Sequence, residues 1–209
     1  MSVPKQVSGI VLAGGMSRRL GRNKAVEPLG GVPLIERVIS RLSQIASEIV
    51  VVVADDRRAS ELSLPDLARV AIDIYPDCGS LGGVFTGLST AEAEWGIVVA
   101  CDMPFLNVRL LRQMLSDSDS FDAVVPVLCG RPEPTHAAYS KECLSFIERQ
   151  LRDGDLKIAQ FFDKVRVNYY LQEDVQKYDP ELRSFFNVNT QEDLDLALEI
   201  EAQEQERHG

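Results

Sequence analysis

Short, continuously apolar runs alternate along the chain with stretches whose apolar positions recur every three or four residues. The runs are Val7–Leu12, Ile49–Val53, Arg69–Asp73, Trp95–Ala100 and Asp122–Val127. Lacking in–out alternation, they read as strands covered on both faces, with the helical stretches between them as crossovers of a parallel sheet. Helices are expected at Pro33–Ala46, which opens with proline in its first turn, at Val84–Ala93 and at Val108–Ser116. Beyond Val127 the pattern loosens. Thr135–Ser140 reads as a further strand, Lys141–Arg152 as a helix and Val165–Tyr170 as a late edge strand. Asn189–Glu201 reads as a helix, with Thr190 near its start and Leu194, Leu196, Ala197, Leu198 and Ile200 along it. The charged, glutamine-rich stretch 201–209 is expected to fray. No Gly/Pro/Ser-rich linker and no internal repeat interrupts the series. The expectation is one α/β domain over residues 1–209.

Composition adds exclusions. At 209 residues, 45% hydrophobic and 26% charged, the chain can bury a substantial core. A net charge of -10 and a pI near 4.7 oppose broad nucleic-acid binding, which needs a basic face. They leave room for a phosphorylated small molecule held by a few local cations. The four cysteines, Cys78, Cys101, Cys129 and Cys143, form no CxxC pair. With only His136 and His208 beside them, a zinc site is not expected. No charged-then-apolar leader precedes the first strand and no apolar run approaches the ~20 residues of a membrane span, so the expected setting is the cytoplasm, away from membranes.

The most informative segment follows the first strand: Leu12-Ala13-Gly14-Gly15-Met16-Ser17-Arg18-Arg19-Leu20-Gly21-Arg22-Asn23-Lys24. A loop leaving the C-terminal edge of a parallel strand lies where open α/β folds bind ligands. Gly14 and Gly15 let the backbone approach a ligand and turn its N–H groups toward phosphate oxygens. Arg18, Arg19, Arg22 and Lys24 concentrate positive charge in an acidic chain, as a triphosphate requires. The segment is neither a Walker loop, because Arg22 and Asn23 separate Gly21 from the lysine, nor a dinucleotide fingerprint, because position 16 is methionine. A glycine turn with solvated arginines is the plainer account of such a stretch taken alone.

Two aspartates end later runs. Asp102 follows Val98-Val99-Ala100-Cys101 and precedes Met103-Pro104, which places a hard oxygen ligand suited to Mg²⁺ at the same sheet edge. An aspartate there can equally cap the following helix. Asp73 ends the third run before a second glycine-rich loop, Cys78-Gly79-Ser80-Leu81-Gly82-Gly83. Glycines and two aspartates at three strand ends converge on one site.

Together these segments resemble the molybdenum cofactor guanylyltransferases, within the wider nucleotidyltransferase superfamily. Leu12-Ala13-Gly14-Gly15-x-Ser17-x-Arg19-Leu20-Gly21 with Lys24 resembles the family's opening loop. Gly31-x-Pro33-Leu34-Ile35, Leu81-Gly82-Gly83 with Thr86-Gly87-Leu88, and Cys101-Asp102-Met103-Pro104-Phe105-Leu106 resemble its next blocks. Pro134-Thr135 with Ala138-Tyr139, Asp155-Leu156-Lys157 with Phe161-Phe162, and Phe186-Asn187-Val188-Asn189-Thr190 resemble its later ones. The resemblance implies a three-layer, Rossmann-like nucleotidyltransferase fold with a mostly parallel central sheet. It implies transfer of GMP from GTP, with Mg²⁺, to the phosphate of the molybdenum–pterin cofactor, with molybdoenzymes or their chaperones as recipients.

Carried over by position, Leu12, Ala13 and Gly14 contact the nucleotide, and Gly15 and Arg19 lie near its phosphates. Lys24 neutralises phosphate charge, Asp73 lines the GTP site, and Asp102 binds both nucleotide and Mg²⁺. Arg19, Lys24 and Asp102 are the catalytic set, and Asn187 and Asn189 belong to the acceptor side. The chain departs from the family at Asn23, commonly aspartate, and at Val53, where some members have asparagine. Cytidylyltransferases acting on the same cofactor usually carry alanine at position 14, so Gly14 favours GTP over CTP. A sugar-phosphate nucleotidyltransferase, or a non-catalytic protein that binds and delivers GTP or the cofactor, are the competing readings.

Overall fold

The computed structural model describes residues 6–15 and 23–208, the last five of these for their backbone only. In chain order the strands are β1 (Val7–Leu12), β2 (Pro28–Leu29), β3 (Val32–Pro33), β4 (Glu48–Val53), β5 (Ala68–Ile72), β6 (Trp95–Ala100), β7 (Ala123–Leu128), β8 (Arg131–Pro132), β9 (His136–Ser140) and β10 (Val167–Leu171). The helices are α1 (Leu34–Leu42), α2 (Asp56–Ser60), α3 (Gly79–Thr90), α4 (Val108–Ser116), α5 (Leu144–Arg152), α6 (Gln172–Gln176) and α7 (Gln191–His208).

The main sheet runs β10-β7-β9-β6-β1-β4-β5, with β8 paired to β7. Its pairings are parallel except where β9 lies antiparallel between β6 and β7, and where β8 returns along β7. Each inner strand sends alternate residues to opposite layers. Val7 and Val11 of β1 join α1 and α4 on one face, while Ile10 joins α3 and α5 on the other. Helix α1 buries Leu34, Ile35, Val38, Ile39 and Leu42, one stripe at helical spacing. A third cluster seats α7 through Leu194 and Ala197 against Leu29, Leu34, Phe105 and Val188. The architecture is the expected three-layer α/β fold. Among the described residues no helix is long and apolar enough to cross a membrane.

Helices α2 and α6 and the short strands β2, β3 and β8 stand outside the sequence expectation, and the bounds of α1, α3 and α7 differ from it. Helix α3 begins at Gly79, five residues before Val84, because its first turns carry glycine where a side-chain pattern would otherwise show. Those glycines set the helix on the sheet. A Cβ at Gly87 would stand 2.3 Å from Ile10 Cγ2, and one at Gly83 would stand 3.1 Å from Leu12 Cδ2. Pro33 belongs to a two-residue ribbon with Pro28–Leu29, closed by Gly30 and Gly31 at positive φ, so α1 starts only at Leu34. Helix α7 continues past Glu201, whose carboxylate pairs with Arg37 at 2.7 Å.

His136 is fully buried on β9 against the Phe185 ring, at a centroid distance of 4.2 Å. No hydrogen bond of ordinary geometry reaches either ring nitrogen. Burial depresses its pKa to about 3, and the Ser184 backbone opposes this only in part. The unfolded chain therefore takes up a proton near pH 6.5 that the folded chain refuses until about 3. Stability from this residue is complete above pH 6.5 and is lost as pH falls toward 3. His136→Leu is expected to flatten that slope, by a few kcal/mol between the two ends (~1.4 kcal/mol per pKa unit), in urea unfolding across pH.

Candidate active site

Strands β4 and β5 lie on one side of β1 and β6 on the other, so the order of strands reverses between β1 and β6. In such sheets the crevice outside the C-terminal ends at the reversal is where ligands bind. The pairing here is flush. Leu12 is level with Ala100 and with Val52, the Cys101 N–H donates to the Leu12 carbonyl at 3.1 Å, and Ala13 N–H donates to the Val52 carbonyl at 2.8 Å. One strand outward, the Asp73 N–H donates to the Val53 carbonyl at 2.8 Å. Gly14, Asp102 and Asp73 thus lie along one edge, as the sequence pattern predicted.

Lys24 enters from a one-turn 3-10 helix, Lys24–Val26, capped by the Asn23 side chain. Its Nζ lies 3.2 Å from Asp102 Oδ2 and donates a short hydrogen bond to Asn189 Oδ1. The Lys24 and Asp102 side chains are 19% and 14% exposed, so the pair is partly desolvated yet open to a ligand. The segment carrying Asn189 is fixed to the strand end, because the Val188 N–H donates to the Asp102 carbonyl at 2.9 Å. Asn189, assigned by resemblance to the acceptor side, touches Lys24. Asn187 lies two residues away and donates to the Phe185 carbonyl at 3.0 Å. Arg19 lies outside the described residues, as do Arg18 and Arg22.

Asp73 is committed internally through one oxygen. Oδ1 accepts from Tyr75 N–H at 3.0 Å and from the Thr86 hydroxyl at 2.8 Å, and Thr86 Oγ1 accepts from Ile74 N–H at 3.1 Å. This network fixes the turn that opens α3. Gly82 belongs to the same packing, since a Cβ there would stand 2.6 Å from the Tyr75 carbonyl oxygen.

The departure at Asn23 has a local explanation. Asn23 Oδ1 accepts from Ala25 N–H, the cap an aspartate would also make, while Nδ2 donates to Glu61 Oε2 at 2.7 Å. A carboxylate could not make that second bond, and Glu61 is held below the usual carboxylate range, chiefly by Asn23. The amide therefore ties the turn that carries Lys24 to the end of α2. Arg58, one turn before Glu61 and mostly covered, lies within electrostatic reach of Cys101 together with Lys24. Sequence reading missed Arg58 because nothing in the short α2 marks which arginine points inward. It also missed Thr86 and Asp193, although Thr190-x-x-Asp193 carries the pattern of a capping box.

The remaining chemical candidates are quiet. Burial pushes the Cys101 thiol up to about 12, with Asp102 adding to the shift, and Cys143 is likewise raised to about 12, mainly by burial. None of the four cysteines is paired in a disulfide. Among the described residues no three His, Cys, Asp or Glu side chains gather as a metal cage. Among the described residues the site brings Lys24 and the Asp102 carboxylate to the strand end that carries Gly14 and Gly15, which suits a polyphosphate better than covalent chemistry.

A sheet with this switch point, glycine loop and lysine–aspartate pair defines a nucleotidyltransferase. The chain belongs to the MobA-like NTP transferase family, whose domain profile matches residues 9–167. It is 36% identical over 189 residues to a probable molybdenum cofactor guanylyltransferase of Pelotomaculum thermopropionicum, covering 90% of each chain. It is 37% identical over 196 residues to the molybdenum cofactor guanylyltransferase of Desulfosudis oleivorans, covering 91% of this chain and 94% of that one. The crystal structure of molybdopterin-guanine dinucleotide biosynthesis protein A from Archaeoglobus fulgidus superposes with a TM-score of 0.82 at 33% identity, covering 94% of this chain and 99% of that one.

Proposed function

We propose that this protein transfers GMP from GTP to the phosphate of the molybdenum–pterin cofactor, in the cytoplasm, and hands the product to molybdoenzymes or their chaperones. The observation that carries this reading is the Lys24–Asp102 pair at the β1/β6 switch point, beside the Gly14–Gly15 backbone. An ionised phosphate oxygen of the acceptor attacks the α-phosphorus of GTP. The bond from that phosphorus to the bridging oxygen of the β-phosphate breaks, and pyrophosphate leaves with the electron pair. No side-chain nucleophile is required, in keeping with a Cys101 thiol held near 12 and a His136 ring sealed in the core. Lys24 offsets charge on the donor phosphates, and the Gly14–Gly15 backbone lies close enough to the edge for its N–H groups to do the same.

The residues fit Mg²⁺. Asp102 engages Lys24 through Oδ2 alone, leaving its other oxygen for a hard cation. Asp102 would hold the ion among the described residues, and phosphate oxygens and water would be its other ligands, as is usual for Mg²⁺ at phosphates. Bound there, the ion supplies further neutralisation of charge on the leaving pyrophosphate.

Gly14 supports guanine as the base. Its φ is not positive, and a Cβ placed on it meets only backbone at 3.4 Å or beyond. Nothing among the described residues demands glycine at that position, and a ligand-facing reason for it accords with guanine. Gly14→Ala is expected to change stability by less than about 0.5 kcal/mol. The same change is expected to shift the GTP-to-CTP ratio of kcat/KM by about 10–100-fold toward CTP. Parallel kinetics with the two nucleotides check this, and an unchanged ratio would remove Gly14 as the selector. The function itself is tested by labelling: label on the α-phosphate of GTP must appear in the cofactor product, whereas label on the γ-phosphate must appear only in pyrophosphate.

A further inference from the structure

The turn into α7 makes more bonds than a helix cap needs. Thr190 and Asp193 form the reciprocal pair of a capping box. Asp193 N–H donates to Thr190 Oγ1 at 3.1 Å, and Thr190 N–H donates to Asp193 Oδ2 at 2.9 Å. The same Oδ2 accepts a second N–H, from Asn189, at 2.8 Å. Asn189 stands before the cap, and its own side chain is the one that holds Lys24 Nζ. On the other side of Asn189, Val188 N–H is bound to the Asp102 carbonyl. Both peptides that flank Asn189 are thus pinned to Asp193 of α7, and the peptide just before them to the strand end that carries Asp102. Burial works to raise the Asp193 carboxyl, but the N–H groups of Asn189 and Thr190, the Thr190 side chain and the charge of Lys24 outweigh it. Asp193 therefore lies below the usual carboxylate range.

We propose that Asp193 is a positioning residue of the nucleotide site: through the Asn189 backbone it sets the carboxamide that holds Lys24 in place for the donor phosphates. The inference rests on the nucleotidyltransferase reading of that site. Without Asp193, the Asn189 peptide loses its anchor to α7, and Lys24 keeps Asp102 as its one fixed partner. The lysine then leans on the aspartate, and both are less available to a triphosphate.

Three variants separate this role from simple helix capping. Asp193→Ala removes the acceptor. Asp193→Asn keeps a carboxamide oxygen that both N–H groups can reach. Ala197→Gly loosens the same helix one turn further on without touching Asn189. GTP binding is measured by calorimetry, pyrophosphate release by steady-state kinetics, and stability by thermal unfolding. Asp193→Ala is expected to weaken GTP binding about tenfold or more, raising KM more than it lowers kcat, with Asp193→Asn recovering most of the loss. Ala197→Gly is expected to lose Tm and bind GTP as the wild type does. Equal weakening by Asp193→Ala and Ala197→Gly at equal loss of Tm would overturn the proposal, as would wild-type binding by Asp193→Ala. If the wild type binds GTP but releases no pyrophosphate with the acceptor, the proposed reaction fails while this binding test still decides the role of Asp193. A wild type that binds no GTP overturns both.

Discussion

Replacing Asp102 by alanine is expected to lower turnover by about 10²–10³-fold while leaving the fold intact. The separation of effects follows from how the residue is held. Its structural work is done by the backbone, whose carbonyl accepts the Val188 N–H and which alanine keeps. Its side chain lies at a strand end, 14% exposed, and reaches only Lys24 among the described residues. Breaking a fully buried ion pair would strand a charge at high cost, but Lys24 retains solvent and Asn189. Thermal unfolding should therefore move little. Catalysis loses the carboxylate that suits the metal and the counter-charge that orients the lysine, both at the reacting phosphates. Steady-state pyrophosphate release, compared with thermal unfolding of the same preparation, checks the pair of outcomes. Near-normal turnover with Mg²⁺ would remove Asp102 from the proposed chemistry.

The largest expected loss of stability comes from Gly87→Val. A Cβ at this position meets Ile10 Cγ2 at 2.3 Å and Val52 Cγ2 at 3.3 Å. Ile10 is fully buried and β-branched, so its Cγ2 cannot swing aside cheaply. Its far end is also hemmed in, since Gly96 leaves room for Ile10 Cδ1 only by lacking a Cβ, which would stand 2.6 Å away. Helix α3 must back off the sheet, at a cost of about 3 kcal/mol or more. For a chain of this size that corresponds to a fall in Tm of about 6–12 °C. Because Thr86, the neighbour of Gly87, holds Asp73, GTP binding should weaken along with stability. Differential scanning calorimetry and GTP titration of the variant test both. A Tm equal to that of the wild type would show that the helix and sheet tolerate separation here.

These two residues illustrate what could be read without coordinates. Strands β1 and β6 match the sequence reading residue for residue, because each is a largely apolar run, with Ser8 the one polar side chain, and is followed within two residues by Gly14 or Asp102. Their C-terminal ends followed from the parallel pattern, and so did the meeting of the glycine loop with Asp102. Helix α3 begins five residues before its apolar pattern does, because its glycines carry no side-chain period, though they are what seats it on β1. The reversed direction of β9 was invisible, since a buried strand reads alike in either direction. Asn189 could be placed in the site by resemblance but not against Lys24, because a contact across 165 positions is set by the return path of the chain past Asp102. The bonds of Asp73 Oδ1 to Tyr75 and Thr86 are not legible in the sequence, because Thr86 lies about two turns into α3 and nothing marks the face it presents.

Guanylyl transfer to the molybdenum–pterin phosphate stands or falls on pyrophosphate release with that acceptor and Mg²⁺, run in parallel with GTP and with CTP. Release is expected with GTP, dependent on the acceptor, and little with CTP. Release with CTP in place of GTP would contradict the base assignment while sparing the fold and the Lys24–Asp102 chemistry. No release with either nucleotide, from folded protein and intact acceptor, would contradict the reaction itself.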